Sequence, residues 1–271
     1  MTRFLRDSLL FFQRDLRIAS TYRSPFVLEI VEALFGAAML YFVARFVDSP
    51  QLRMALPQGS SYFAYSLVGF VFFDYLHTAL DTFDRSLEEA RDTGTIEPLL
   101  VTQTSLPTIL VGSAVYPFVV TTLRIGIYLA WGAVLFGFPF RLANWLSVFV
   151  VLVATLLAFS GLGIFSSAYL LLFKRGNPAK WFILGVSGVV GGILFPVSIL
   201  PDWLQFIARL NPVMYALDAM RASLLDGAGV PAIVRPLLIL LLFAAILLPS
   251  SMLAFSWALR RTKITGTLSH R

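Results

Sequence analysis

Residues 93–102 read TGTIEPLLVT and separate two long apolar segments of the chain. This stretch is polar and turn-forming, and it cannot lie in lipid, because Gly94 and Pro98 break a helix and leave backbone polar groups unpaired. It therefore predicts a compact element outside the bilayer, tied to the two membrane helices that flank it. We expect this element to occupy residues 84–106.

The composition is that of an integral membrane protein. The chain has 271 residues, of which 58% are hydrophobic and 13% are charged, whereas about a quarter of the residues in soluble domains are charged. The formal charge of +6 does not indicate a nucleic-acid partner, because the basic residues stand at the ends of apolar segments and form no stripe with interleaved aromatic rings. Cysteine is absent, which excludes disulfides and thiolate catalysis.

Six apolar stretches are each long enough to cross a hydrocarbon core of about 30 Å. They comprise residues 26–47, 62–83, 106–136, 142–173, 181–200 and 234–259. Between the last two, residues 199–232 are apolar but broken by Pro201, Asn211–Pro212 and Gly227, so they predict half-helices that re-enter the outer leaflet without crossing it. We therefore expect a single all-α membrane domain over residues 1–271.

The first 24 residues predict an amphipathic helix that lies in the membrane interface. At about 100° per residue, its apolar side chains share one face and its arginines share the opposite face. The apolar face consists of Leu5, Leu9, Phe12 and Leu16, and the basic face of Arg3, Arg6, Arg14 and Arg17. An ordinary positively charged tail is the alternative.

The distribution of Lys and Arg predicts that both termini are cytoplasmic. Six spans place the two termini on one side of the membrane. That side holds most of the basic residues, in the N-terminal segment, in the loops after the second and fourth spans, and at the C-terminus. Such an excess of positive charge is typical of cytoplasmic segments.

The second predicted span carries ionisable side chains at helical spacing. These are Asp74, His77, Asp81, Asp84 and Glu88. Charges inside a membrane are costly, so this stripe should face protein or a watery cavity. Arg124, at comparable depth in the third span, offers a structural ion pair with Asp74; the alternative is that Asp74, His77, Asp81 and Arg124 line a pathway. A metal site is not expected, because His77 has no other His or Cys nearby.

The fifth predicted span carries small residues at helical spacing, namely Gly185, Gly188 and Gly192. Small residues on one face let two helix backbones approach closely where lipid gives no hydrophobic drive for association. We expect this face to form the seam between two copies of the chain. Packing within one subunit is the alternative.

The sequence offers no catalytic constellation. Its two histidines are His77 and His270, and no Gly-x-Ser-x-Gly, His-Glu-x-x-His or Gly-x-x-x-x-Gly-Lys-Ser/Thr motif occurs. We therefore expect no catalytic residue, metal or cofactor in this chain. If ATP drives the protein, another chain must bind it.

Three stretches resemble those of a known family, the type-2 ABC exporter permeases. Residues 94–102, GTIEPLLVT, are similar to the family's Gly-Thr-Leu-Glu-x-Leu-Leu-x-Thr-Pro stretch. Residues 195–204, FPVSILPDWL, resemble its FPxSxLPxWL stretch, and residues 210–221, LNPVMYALDAMR, resemble its NPLTYALEALR run. The interfacial helix and the six spans follow the family order, so the resemblance covers nearly the whole chain.

The resemblance implies an exporter built from two permease subunits, here a homodimer, and two ABC ATPase subunits that bind ATP and Mg. The element around Glu97 would be the coupling helix seated in the ATPase, and residues 1–24 would be the connecting helix that also touches it. The coupling residues would be Gly94, Thr95, Glu97, Leu99, Leu100 and Thr102. The outer half-helices would form a lid on the exit side.

Sequence and resemblance together predict the transmembrane subunit of an ATP-driven exporter in the plasma (inner) membrane, multi-pass, with both termini cytoplasmic. It would move an amphipathic or apolar substrate, such as a lipid, a lipid-linked glycan or a drug, out of the cytoplasm by alternating access. One alternative is an ATP-independent, proton-coupled carrier that uses Asp74, His77 and Asp81. A second alternative is an intramembrane transferase or hydrolase. The expected partners are the ATPase, a second permease subunit and the lipid bilayer, with no nucleic acid.

Overall fold

The computed structural model describes residues 12–13, 16–17, 24–47, 56, 61–92, 106–139, 143–173 and 176–264. Within these residues the regular structure is entirely helical, which confirms the predicted all-α class. The helices are α1 (Ser24–Val47), α2 (Tyr62–Asp92), α3 (Leu106–Phe136), α4 (Trp145–Phe173), α5 (Pro178–Val190), α6 (Asp202–Arg209), α7 (Pro212–Leu224) and α8 (Val234–Ile264). Two 3-10 turns, Val197–Ile199 and Val230–Ile233, precede α6 and α8.

Five of the six predicted spans coincide with helical segments that are long and apolar enough to cross a membrane. These segments are Leu28–Val47, Tyr62–Glu88, Gly112–Phe136, Trp145–Phe173 and Val230–Thr262. The shortest has 20 residues, and at about 1.5 Å per residue it reaches the thickness of the hydrocarbon core. The five segments lie in α1, α2, α3, α4 and α8.

The fifth predicted span is helical over only part of its length. α5 has 13 residues, which corresponds to about 20 Å. The helix ends at Val190, where the N–H of Gly191 donates to the carbonyl of Ser187 at 2.8 Å. Gly192 then adopts a φ of 76°, a left-handed conformation that ends a helix. The prediction that Gly192 shares a helical face with Gly185 and Gly188 is therefore wrong.

The starts of α5 and α7 share one local sequence signal, an asparagine followed by proline. The side-chain oxygen of Asn177 accepts a hydrogen bond from the N–H of Lys180 at 3.0 Å. In the same way Asn211 accepts from the N–H of Val213 at 3.0 Å. Asparagine caps the free N–H groups of a first turn, and proline fits at the first helical position because it has no N–H. Both helices therefore begin where the sequence dictates.

The helices α2 and α4 form the centre of the bundle. α2 contacts α1, α3, α4, α5 and α7, and α8 packs along α4. At Gly163 of α4 an added Cβ atom would overlap with the carbonyl oxygen of Ala79 in α2, so glycine is required for this close approach. α1 lies at the edge of the bundle, against α3 and α2. Because α2 is surrounded in this way, its polar side chains can contact several helices.

Two predicted regions lie largely outside the described residues. The predicted interfacial helix over residues 1–24 is described at residues 12–13, 16–17 and 24, all of them helical. Of the predicted coupling element, residues 93–105 lie outside the described residues, whereas residues 84–92 form the last turns of α2. The first nine residues of the predicted element are therefore a continuation of α2.

Candidate functional site

The ionisable stripe of α2 lies along a partly exposed side of that helix. On one side of it is α3, where the hydroxyl oxygens of Thr78 and Thr121 are 2.9 Å apart. On the other side is α5, where a Cβ atom added to Gly188 would stand 3.9 Å from the ring of Phe73. Between them the side chain of His77 is 50% exposed. Since charged and polar groups at membrane depth are costly in lipid, this side must be covered by water or protein.

Asp74 and Arg124 form an ion pair that joins α2 to α3. The Oδ2 atom of Asp74 lies 2.8 Å from Nη2 of Arg124. Both side chains are about a quarter exposed, 27% and 24%, so the pair also borders the open side of α2. Asp74 stands about 18 Å along α2 from Tyr62, near the middle of the hydrocarbon core. The structure thus joins the two charges that the sequence placed at equal depth, and their role in lining a pathway stays a prediction.

Asp81 makes three contacts, one of which joins α2 to α5. Its Oδ2 atom lies 3.4 Å from Nδ1 of His77 and 3.2 Å from Nη2 of Arg85. Its Oδ1 atom contacts Nζ of Lys180 in the first turns of α5. The cations Arg85 and Lys180 neutralise Asp81 where only 14% of its side chain is exposed. The use of His77 and Asp81 as a proton pathway stays a prediction.

Asp84 lies at the centre of a buried polar cluster, which we call the Asp84 cluster and define as Asp84, Ser166, Ser167 and Asn177. The hydroxyl of Ser167 donates to Oδ1 of Asp84 at 2.7 Å, and the amide of Asn177 donates to Oδ2 at 2.7 Å. The same amide also donates to Oγ of Ser166 at 2.7 Å. All four residues are buried. The cluster thus joins the end of α2, the end of α4 and the cap of α5.

Sequence reasoning placed Asp84 in the stripe but missed its partners. Ser166 and Ser167 are small polar residues inside a long apolar span, and such residues are common in membrane helices. Asn177 was not singled out, although an asparagine before a proline is a local signal of a helix start, and its contact with Asp84 spans 93 residues of chain. The sequence does contain one signal of this cluster. Asp84, the serine pair Ser166–Ser167 and Asn177 all stand near the same end of their predicted spans.

Arg221 is the centre of a second buried cluster, the Arg221 cluster, which comprises Tyr65, Gly69, Gly192, Ile193 and Arg221. The guanidinium Nη2 donates to the carbonyl oxygens of Ile193 at 2.9 Å and Tyr65 at 3.0 Å. It lies over the ring of Tyr65, with the central carbon 3.4 Å from the ring centroid. The hydroxyl of Tyr65 donates to the carbonyl of Gly192 at 3.1 Å. The cluster therefore joins α2, α7 and the non-helical chain after α5.

The Arg221 cluster explains how irregular backbone is tolerated inside the bundle. Residues 191–193 are buried, and buried carbonyl groups need donors that a helix no longer supplies. Arg221 and Tyr65 supply them at Ile193 and Gly192. A Cβ atom added to Gly69 would overlap with the carbonyl oxygen of Ile193, so glycine is needed for this approach. In the sequence, Arg221 had stood out only as the last residue of the family-like stretch 210–221.

The charge of Arg221 persists in this site. Burial lowers the pKa of Arg221 to about 10, while the neighbouring Tyr65 and Asp218 act in the opposite direction. The guanidinium therefore remains protonated near neutral pH. A cation that is 3% exposed and held by carbonyl oxygens and an aromatic face is stable only while this geometry is kept.

Of the predicted seam glycines in α5, Gly185 is exposed and Gly188 is half-buried beside Phe73. Among the described residues no atom lies within 4 Å of a Cβ atom added to Gly185, and the neighbouring Trp181, Phe182 and Val189 are exposed. This face is open to a partner of any apolar kind, and its assignment to the seam stays a prediction. The predicted coupling residues Gly94, Thr95, Glu97, Leu99, Leu100 and Thr102 lie outside the described residues.

A bundle of apolar helices with buried polar clusters and a polar stripe on a partly exposed side is the structure of a multi-pass membrane protein. Residues 10–225 of the chain match the family model of the ABC-2 type transporter. The chain therefore belongs to the ABC-2 type transporter family, as the resemblance of residues 94–102, 195–204 and 210–221 predicted. Permeases of this family generally pair with an ABC ATPase subunit.

Two curated relatives are similar over a large part of the chain. The inner membrane transport permease YadH of Escherichia coli K12 is 27% identical over 195 residues, which cover 72% of this chain and 75% of YadH. The probable multidrug ABC transporter permease YbhR of Escherichia coli K12 is 26% identical over 160 residues, 59% of this chain and 43% of YbhR. This chain is thus a transmembrane permease subunit of a transporter in the inner membrane. The comparisons do not favour the ATP-independent carrier.

Proposed function

We propose that this permease works as the membrane half of an ATP-driven exporter, with a second copy of the chain and two ATPase subunits. The observation that carries the proposal is the partly exposed ionisable stripe of α2. A membrane helix whose Asp74, His77 and Asp81 are turned toward its open side cannot present that side to lipid at low cost. A water-lined path between two permease copies would cover it.

The neighbouring α5 supports this placement of the path. Its outward glycines, Gly185 and Gly188, stand beside the stripe, because Gly188 adjoins Phe73 of α2. A second copy related by a two-fold axis would bring the same glycines together and place the two stripes on either side of the seam. Alternating access would then open the seam to one side of the membrane at a time.

The force for this change would enter through residues 93–102. We place the contact with the ATPase at Gly94, Thr95, Glu97, Leu99, Leu100 and Thr102, and the connecting helix at residues 1–24. ATP and Mg would be bound by the partner ATPase. Both termini would then be cytoplasmic, and residues 199–232, which contain α6 and α7, would form the lid on the exit side.

We propose an amphipathic or apolar substrate. The charges that border the stripe are largely neutralised within the chain, since Asp74 pairs with Arg124 and Asp81 pairs with Lys180 and Arg85. Such a surface does not select a strongly charged molecule. The relative YbhR, described as a probable multidrug permease, agrees with a substrate of this class.

The coupling role of Glu97 can be tested by reversing its charge. An exposed carboxylate can form a charge-assisted pair with Arg or Lys of an ATPase, so Glu97→Arg should abolish transport and uncouple ATP hydrolysis from substrate while the chain still inserts into the membrane. Asp202→Arg makes the same charge change in the proposed lid, far from the proposed ATPase contact, and serves as the control for coupling, because ATP hydrolysis should stay substrate-stimulated in it. Wild-type transport by Glu97→Arg in the reconstituted complex would refute the coupling assignment.

The seam can be tested by cysteine crosslinking, because the natural chain has no cysteine. Single cysteines at Val186 or Gly188 should bridge two copies of the chain, whereas one at buried Gly192 should not, and Gly188→Leu should weaken dimerisation or block substrate-stimulated ATP hydrolysis. Cysteines at exposed Phe35 in α1 and Trp257 in α8 provide the comparison. If these crosslink and those of the fifth predicted span do not, the seam lies elsewhere.

A further inference from the structure

We infer that Asp84 is a positioning residue that fastens the start of α5 to α2, so that α5 and the non-helical chain after it follow the movement of α2. This inference rests on the proposed function, because it assigns a path for the movement that an ATPase would start. It concerns a contact that lies fully within the described residues.

The first support is the geometry of the Asp84 cluster. Both oxygens of the Asp84 carboxylate accept hydrogen bonds of 2.7 Å, one from Ser167 in α4 and one from Asn177 before α5. The side-chain oxygen of Asn177 caps α5 through the N–H of Lys180, while its amide group binds the carboxylate. One residue therefore fixes the direction in which α5 begins and ties that beginning to α2.

The second support is that separating α5 from α2 at the Asp84 cluster would be energetically costly. Asp84 is 5% exposed, and a buried carboxylate without its donors is strongly unfavourable. If α5 moved away from α2, the carboxylate would lose the amide of Asn177 in a place that water reaches poorly. The same movement would also break the contact between Asp81 and Lys180. α2 and the start of α5 must therefore move together.

The third support is that packing within one subunit holds α5 weakly. Its side chains Trp181, Phe182 and Val189 are exposed, and Leu184, Ser187 and Val190 are the residues it buries. Because α5 buries so little apolar surface against its own subunit, the polar contacts at its two ends are what tie it to α2 and α7. At its far end the hydroxyl of Ser187 accepts a hydrogen bond from Asn211 of α7 at 3.0 Å.

These contacts form a continuous path through the molecule. α2 runs without a break from Asp84 to Asp92, directly before residues 93–102, where we propose the contact with the ATPase. A displacement of that end is passed to α5 through Asn177, and from α5 to α7 through Ser187 and Asn211. Coupling of this kind is carried by rigid elements joined by specific contacts.

The experiment measures how far α5 moves when nucleotide binds. A spin label at Val189, exposed near the end of α5, reports the distance between the two copies there, and a label at exposed Glu88 reports the end of α2. Each is introduced as the single cysteine of the full chain in complex with its ABC ATPase, and distances are compared without nucleotide and with MgATP plus orthovanadate. In the otherwise unchanged chain we expect both distances to shift.

The variant Asp84→Leu has a similar size but no side-chain oxygen, so the hydrogen bond from Asn177 is lost. The shift at Val189 should then fall to half or less, while the shift at Glu88 is retained. The exchange Asp84→Asn with Asn177→Asp keeps a donor against an acceptor and keeps a capping residue, so it should retain most of the shift. Asp226→Leu, at an exposed carboxylate after α7, is the matched control and should change neither distance.

Two outcomes separate the inference from the proposed function. If the unchanged chain shows no shift at either label, the nucleotide-driven mechanism is wrong and this inference falls with it. If the unchanged chain shifts and Asp84→Leu shifts equally at Val189, Asp84 is not the link. Should Asp84→Leu fail to fold, Asn177→Ser keeps a capping residue but removes the amide that donates to Asp84. It should also lower the shift at Val189, and an undiminished shift in that variant would overturn the inference.

Discussion

The Asp84 cluster and the Arg221 cluster hold the same helix, α2, at opposite ends, and they do so with different chemistry. At Asp84 a buried anion is bound by the side chains of Ser167 and Asn177. At Arg221 a buried cation is bound by backbone carbonyls of Tyr65 and Ile193. Gly69 and Asp84 are about 22 Å apart along α2, so the two clusters occupy different depths of the bundle.

The difference follows from the state of the neighbouring backbone. Beside Asp84 the backbone of α2 and α4 is helical and bonded to itself, so only side chains are left to bind the carboxylate. Beside Arg221 the chain after α5 is not helical, and its carbonyls lack helical donors. A guanidinium with several N–H groups can satisfy such carbonyls. A side-chain cluster can be rebuilt by exchanging residues, whereas a cluster built on backbone carbonyls cannot.

The largest effect is expected at Gly69, where the Arg221 cluster is most crowded. In Gly69→Ala the new methyl group would overlap with the carbonyl of Ile193, and backbone must shift, so we expect a loss of at least about 3 kcal/mol in the free energy of unfolding. Unfolding in detergent, followed by tryptophan fluorescence, measures it.

The control for this variant is Gly126→Ala in α3, because no atom of the described residues lies within 4 Å of a Cβ atom there. That substitution should stabilise the protein by about 0.4–1 kcal/mol, since alanine restricts the unfolded chain and favours a helix. Equal stability of the two variants would show that α2 does not approach residue 193 closely.

The next largest effect is expected from removing the charge of Arg221. Arg221→Met keeps much of the volume but leaves the carbonyl of Ile193 without a donor, which should cost about 2–3 kcal/mol. Arg221→Lys keeps the charge but has a single amino group, so it should fall between methionine and arginine. The same detergent unfolding measures both variants, and a lysine variant as stable as arginine would mean that the fork of the guanidinium is not used.

A smaller effect is expected at the Asp74–Arg124 pair, which lies between the two clusters along α2. Each single variant, Asp74→Asn or Arg124→Gln, should lose about 2 kcal/mol, below the figure for a fully buried pair because both side chains are a quarter exposed. The double variant should recover much of that loss. Strictly additive losses in the unfolding cycle would show that the two charges do not stabilise each other.

The smallest effect is expected from Arg85, whose side chain is 79% exposed beside Asp81. Arg85→Ala should change the free energy of unfolding by about 0.5 kcal/mol or less, and the change should vanish at high salt. Lys180→Ala removes the less exposed partner of the same carboxylate and should cost more. If Arg85→Ala lost more stability than Lys180→Ala, the exposed ion pair within α2 would contribute more than the contact between α2 and α5.

Several elements could be predicted because their causes are local in the sequence. The apolar length of α1, α2, α3, α4 and α8 was sufficient to place them, and Asn177–Pro178 and Asn211–Pro212 mark the starts of α5 and α7. The end of α5 was missed, because apolar residues continue to Leu200 while Gly192 has already left the helix. An apolar stretch indicates that its residues can lie in lipid, but it does not show how many of them are helical.

The candidate site shows the same limit. The stripe on α2 was predicted from spacing alone, and Arg124 was predicted as the partner of Asp74 from its depth in the third span. The partners of Asp84 and Arg221 were not predicted, since residues 93 and 156 positions apart along the chain must meet to form them. No spacing rule in one helix specifies which neighbouring helix supplies the donor.

The sequence by itself determined that this chain is a helical membrane protein, because hydrophobic length and helix-breaking residues act locally and lipid leaves few alternatives. Its motifs also determined the family. The tertiary structure alone decided that Asp84 binds Asn177 and that Arg221 binds the carbonyl of Ile193. Those contacts depend on how α2, α4, α5 and α7 pack together, and packing joins residues whose positions in the sequence bear no fixed relation to each other.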